Sequence, residues 1–188
     1  MVIALIIIAV IVLLAIIIAG MYNSLVKTNE RVDEAWSDIT VQLKRRSDLI
    51  PNLVEIVKGY TKHESEAIKQ VSDARAKMMG ARTVADTAAA DKSITGALSR
   101  IMAVSESYPE LKANANFQQL SSELTDTEDK IQAARRFYNA GAKDINTKIK
   151  VFPFNLINAM FGHFKKREYY DVDEAEKAKI NNAPEVKF

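Results

Sequence analysis

A chain of 188 residues is long enough for one domain with a real core plus an appendage. Few aromatics (7%), six Gly, four Pro and abundant Ala, Leu, Lys and Glu point to helix, while a net charge of +2 gives no support to a nucleic-acid surface. The lack of any Cys excludes disulfides, thiolate metal sites and cysteine nucleophiles.

Residues 2–19 form an unbroken run of Val, Ile, Leu and Ala that Gly20 and Met21 extend without charge. Roughly twenty apolar residues at about 1.5 Å each cover the ~30 Å hydrocarbon layer of a bilayer. A cleaved secretory signal would carry a basic start, a shorter apolar stretch and small residues at its cleavage site. No Lys or Arg precedes this run, and Ile17-Ile18-Ala19 is a poor cleavage site. Residues 1–21 are therefore expected to be an uncleaved, single-pass transmembrane anchor in the cell membrane, with lipid as a partner. Lys27, Arg31 and the Lys44-Arg45-Arg46 cluster follow the run, so the positive-inside rule puts the following domain in the cytoplasm.

From residue 22 to 152 the chain reads as heptad-patterned helix. Val32, Ile39, Arg46, Leu53, Tyr60, Ala67 and Ala74 are spaced by seven, and Trp36, Leu43, Ile50, Val57, Glu64, Val71 and Met78 follow four residues behind. Together they make a stripe that packs against other helices along one face. Pro51 allows two readings: a new helix capped by Ser47 or Asp48, or one helix kinked where Pro51 cannot bond the Ser47 carbonyl. The phase survives across Pro51, which favours a single helix reaching about residue 79. Gly80 closes it, and Thr83 with Asp86 resembles a capping box opening a second helix, whose inner face is Ile94, Leu98, Ile101 and Ser105.

Ser107-Tyr108-Pro109-Glu110 is a further helix start. The third helix carries Phe117, Leu124, Ile131, Tyr138, Ile145 and Phe152, with Leu120, Thr127, Ala134 and Gly141 as companions, and Pro153 ends it. The expected fold is all-α: an N-terminal transmembrane helix followed by an antiparallel up-and-down bundle of long helices. Trp36, Leu43, Leu53, Val57, Phe117, Leu124, Ile131 and Tyr138 are the expected core. Residues 153–188 are expected to hold a short fourth helix reaching Phe164 and a tail.

Two long blocks resemble a known family. WSDITVQLKRRSDLIPNLVEIVKGYTKHE (36–64) and LSRIMAVSESYPELKANANFQQLSSELTDTEDKIQAARRFYN (98–139) are similar to the hallmark blocks of the LemA family. Tyr22-Asn23, Phe152-Pro153 and the closing PEVKF (184–188) fit as well. The resemblance covers nearly the whole chain and is weakest near 80–95. It implies a bacterial or archaeal membrane protein with an antiparallel helical bundle and no catalytic activity. Related proteins are associated with forming membrane compartments, magnetosomes included. Some relatives carry a lipoprotein signal in place of the anchor, which puts their domain outside the cytoplasm, opposite to the charge argument.

Catalytic and cofactor chemistry finds no support. His63-Glu64 matches the opening of a zinc-protease helix motif, but Ala67 stands where the second His belongs and His163 is distant. No Gly-rich phosphate loop or nucleophile elbow occurs, so neither an enzyme nor a metal or other cofactor is expected.

Arg46 and Glu64 both fall on the core stripe. Each either snorkels outward or needs a buried partner, since an unpaired buried charge is costly. Glu128, Arg135 and Asn139 on the third helix are the candidate partners, in a role fixing helix register or an interface between subunits. In FPFNLINAMFGHFKKREYY (152–170), Phe154, Ile157, Phe161 and Phe164 recur at three- and four-residue spacing ahead of Lys165, Lys166 and Arg167. An aromatic stripe with a basic flank suits a membrane interface. Asn155 and Asn158 interrupt the face, which favours the plainer reading that it caps the end of the bundle. The functional expectation is a membrane-anchored helical scaffold that forms homo-oligomers and organises or shapes membrane. The alternative is a tethered binding module presenting the bundle or the PEVKF tail to a membrane protein such as a protease or transporter.

Overall fold

The structure is a computed structural model that describes residues 1–61, 64–161 and 164–170. Its elements are α1 (Val2–Tyr60), α2 (Ser65–Gly80), α3 (Val84–Ser107), α4 (Pro109–Ala113), α5 (Ala115–Lys148) and α6 (Phe154–Phe161). No strand occurs among the described residues.

The first helix runs 59 residues without interruption, about 90 Å at the helical rise. Its apolar first third is unburied and long enough to cross a membrane. From Leu25 onward the same helix becomes one wall of a bundle, with Leu25, Val32, Ile39, Leu43, Ile50, Leu53 and Val57 buried. The helix continues through Pro51, the reading that the heptad phase favours. The Ser47 carbonyl, which Pro51 cannot bond, accepts instead from Arg75 Nε of α2 at 2.9 Å.

The expected extension to residue 79 is not what the chain does. The first helix stops at Tyr60, after Gly59, and Thr61 takes an extended conformation (φ −118°, ψ 131°) with its N–H and its hydroxyl both on the Val57 carbonyl. The second helix then doubles back: Arg75 reaches Ser47, Ser72 flanks Pro51, and Met78 lies beside Leu43. Heptad phase misled here because an antiparallel helix packing on the first needs the same spacing of apolar residues. Val71 and Ala74 fill the space beside Leu53, Val54 and Val57 instead of prolonging their stripe.

Thr83 caps α3 as expected, its hydroxyl accepting from the Asp86 N–H at 3.0 Å. The single helix expected from Ser107 to Phe152 is divided. Tyr108, not Ser107, occupies the cap of α4, and Asn114 breaks the chain by capping α5 through the Phe117 N–H at 3.0 Å. Short polar side chains compete for backbone donors in this way. The helix ends at Lys148, leaving Phe152 77% exposed rather than on the core stripe. The Phe152-Pro153 bond is cis.

Helices α1, α2, α3 and α5 thus alternate direction. The core is in two parts. The part far from the apolar end packs Ile50 to Val57 of α1 with Val71, Ile94, Ile101, Leu111, Phe117 and Leu124. Nearer the apolar end α2 and α3 give out, and α1 and α5 run on as a pair, with α6 and residues 164–170 completing the packing. Gly141 makes the close approach possible: a Cβ there would lie 3.1 Å from Val32 Cγ2. Of the expected core residues only Trp36 is half-buried; Leu43, Leu53, Val57, Phe117, Leu124, Ile131 and Tyr138 are buried.

Candidate functional site

Where the two parts of the core meet, the apolar packing is interrupted by charge. Arg46 is 3% exposed, and its Nη1 lies 2.9 Å from Asp91 Oδ1 of α3 and 2.8 Å from Glu128 Oε2 of α5. The Glu128 contact is an ion pair without hydrogen-bond alignment, and Arg46 Nε is buried with no acceptor. Asp91 is also buried. Its second oxygen accepts from the Tyr170 hydroxyl at 2.9 Å and has Arg135 at 3.8 Å. The Arg135 guanidinium stands 4.8 Å from the centre of the Tyr170 ring. Burial pushes the Asp91 carboxyl above the usual aspartate range, outweighing the lowering effect of Arg46, Tyr170 and Arg135. One cluster thereby ties three helices and the C-terminal segment together.

Of the candidate partners for Arg46 and Glu64, Glu128 stands beside Arg46. Arg135 instead serves Asp91 and Tyr170, and Asn139 bonds backbone. Glu64 is not brought to these residues: it stands half-buried before α2, accepting from the Tyr108 hydroxyl at 3.3 Å. Asp91 escaped the sequence reading although it extends the α3 inner face, three residues before Ile94. A buried Arg on one helix calls for a carboxylate on such a face. Tyr170 carries no local signal.

Residues 164–170 run back along α1 and α5 as a strap held by asparagines. Asn158 exchanges two hydrogen bonds with the Phe164 backbone (both 3.2 Å), Asn146 two with Arg167 (2.7 and 2.8 Å) and Asn139 two with Tyr170 (2.8 and 3.0 Å). An amide side chain presents a donor nitrogen and an acceptor oxygen side by side, the complement of one residue's C=O and N–H. The spacing of the clasped residues by three and of Asn139 and Asn146 by seven keeps the strap in step with the helix. Tyr138 donates to the Glu168 carbonyl at 2.9 Å, and the Tyr170 ring lies near Trp36.

The 152–170 stretch therefore divides. Ile157 is buried, and Phe154 and Phe164 pack against the same cluster. Phe161 is 40% exposed with its ring 5.1 Å from Tyr22. Arg167 turns inward to Asn29 Oδ1 (2.8 Å) and Asp33 Oδ2 (2.9 Å), while Lys165 and Lys166 are exposed. His63, His163 and the PEVKF tail lie outside the described residues.

On the opposite side of the α1–α5 pair is a groove of about 530 Å³, floored by Ala35, Phe137, Ala140 and Gly141 and edged by Arg31, Glu34, Asp38 and Asp144. Phe137 is 74% exposed there.

A long helix of membrane-spanning apolarity continuing into an antiparallel bundle, with a buried ion cluster inside it, defines a membrane-associated helical protein. The chain belongs to the LemA family, whose model matches residues 35–188. It is 27% identical over 175 residues to magnetosome protein MamQ 2 of Paramagnetospirillum magneticum, covering 79% of this chain and 64% of that protein. Magnetosome protein MamQ of Magnetospirillum gryphiswaldense is similar to the same extent, so the chain spans less than two thirds of the length of these magnetosome relatives. Protein LemA of Metamycoplasma hominis is 29% identical over 168 residues, covering 84% of this chain and 75% of that one.

Proposed function

We propose that this protein is a single-pass, membrane-anchored scaffold without enzymatic activity, whose bundles associate side by side and so organise or shape the membrane that holds them. The observation that carries this reading is the uninterrupted course of α1 from its apolar end to the far end of the bundle. No linker lies between span and domain, so lateral packing of bundles would fix the orientation of their anchors. The side of the α1–α5 pair where Phe137 stands exposed among Ala35, Ala140 and Gly141, ringed by Arg31, Glu34, Asp38 and Asp144, supplies the surface for such packing. The magnetosome names of two relatives agree with a role in a membrane compartment. By charge bias the bundle lies in the cytoplasm. Arg46 and Gly141 act within one subunit, so the association we propose rests on the Phe137 face and not on them.

Native mass spectrometry of the full-length protein in mild detergent tests the reading. The expected result is an oligomer that Phe137→Glu dissociates. A clean monomer across the working concentration range would overturn it and favour the other reading, in which the groove or the PEVKF tail receives a membrane-protein partner.

A further inference from the structure

The inner stripe of α6 is spent on the bundle, which leaves an outer one. Phe152 is 77% exposed, Leu156 52% and Met160 71%, at four-residue spacing, with Val151 beside them at 43%. Four-residue spacing puts Leu156 and Met160 on one face of the helix. Asn158 does not interrupt it, being engaged with the Phe164 backbone on the inner side, and Asn155 is exposed beside Leu156.

The height of this face along α1 is set by its contacts. Phe161 packs on Tyr22, and Ile18, Met21 and Tyr22 all pack against the cluster that holds Ile157. Counted from Val2, about twenty residues at 1.5 Å span the hydrocarbon layer, which brings its edge to the neighbourhood of Met21. The exposed apolar face of α6 therefore stands level with the edge of the bilayer, beside the anchor. Lys150 and Lys165, both exposed, flank it in sequence.

We infer that α6 is an interfacial helix whose outer residues Leu156 and Met160, with Phe152 just ahead of the helix, enter the boundary between phospholipid headgroups and acyl chains. A short apolar face with basic flanks, held at that depth, is the chemistry such a boundary accepts. Anchor and α6 together would give the bundle two points of attachment and a defined tilt. The inference rests on the membrane-spanning reading of α1 but on neither the oligomer nor the side of the membrane.

The Cys-free chain makes the test direct. Single-cysteine variants of the full-length protein, Leu156→Cys, Met160→Cys, Leu13→Cys in the span and Glu106→Cys at the far end of the bundle, are labelled with an environment-sensitive fluorophore. They are then reconstituted in phosphatidylcholine–phosphatidylglycerol vesicles carrying nitroxide lipids. The probes at 156 and 160 should be quenched several-fold more by a nitroxide near the headgroup than by one at the chain end. The probe at 13 should show the reverse, and the probe at 106 should respond to neither. Probes at 156 and 160 that behave like the one at 106, while 13 is quenched, would overturn the inference and leave the anchor standing. Probes shielded from aqueous iodide yet untouched by lipid nitroxides would overturn it too, because protein would then cover the face. An unquenched probe at 13 would remove the spanning helix and this inference with it.

Discussion

Arg46 occupies a position where the heptad asks for an apolar side chain, and it is held there by two carboxylates. Removing Arg46 takes from the buried Asp91 its nearest counter-charge and leaves only Arg135 at 3.8 Å and the Tyr170 hydroxyl. Arg46→Ala is therefore expected to cost about 3–5 kcal/mol, read by chemical denaturation of the detergent-solubilised protein. A loss within the range of a surface substitution would show that Asp91 and Glu128 are hydrated. Asp91 adds a dependence on pH. Its carboxyl is raised above 3.8 by burial, so the fold binds its proton more tightly than the unfolded chain does. That contribution is fully present below the unfolded value and is lost as pH rises through the folded one, opposite to the usual surface carboxylate. The stability difference between wild type and Asp91→Asn should accordingly shift against wild type as pH is raised from about 4 to about 7, followed by thermal unfolding. A difference that moves the other way would mean that the pull of Arg46 outweighs burial.

At the scale of the element, Pro51 and Arg75 answer each other. The proline leaves the Ser47 carbonyl without its helical donor, and Arg75 supplies one from 28 residues away. Arg75→Ala should cost about 1–3 kcal/mol in the presence of Pro51, since a charged donor is lost to a carbonyl with no replacement. With Pro51→Ala the residue 51 N–H returns to Ser47, and the same Arg75 change should cost less. Equal costs in the two backgrounds would show that Arg75 acts by something other than this bond. Leu124 tests the register of α5. It is 5% exposed within the far part of the core, and Leu124→Ala is expected to lose about 2–5 kcal/mol. An unchanged melting point would place α5 in a different register against α1.

For the whole molecule, the consequence of the two-part core is uneven stability. The far part draws on five helices, α1 to α5. The part next to the apolar end is built chiefly on α1 and α5, closed by α6 and the strap, whose largest buried side chain is Tyr170 at 1% exposure. Tyr170→Ala removes both that packing and the hydroxyl on Asp91. Hydrogen exchange should then rise chiefly in residues 25–39 and 134–145, with residues 50–57 and 117–124 better protected. A uniform rise along the bundle would mean that the strap is coupled to the whole fold as one cooperative unit.

The sequence by itself determined the helical class, the long apolar N-terminal helix and the cap at Thr83, and for Arg46 it left open an outward course or a buried partner, with Glu128 among the candidates. Each of these follows from composition, run length or periodicity, which are local properties. Tertiary structure alone decided the reversal after Tyr60, the choice of Asp91 and Tyr170 around Arg46, and which face of α6 turns outward. The reason is physical. A seven-residue repeat states that a helix has an apolar face, and it reads the same whether the next segment continues the helix or returns along it. Which face meets which partner depends on residues such as Asn146 and Arg167 that meet only once the chain has folded back on itself.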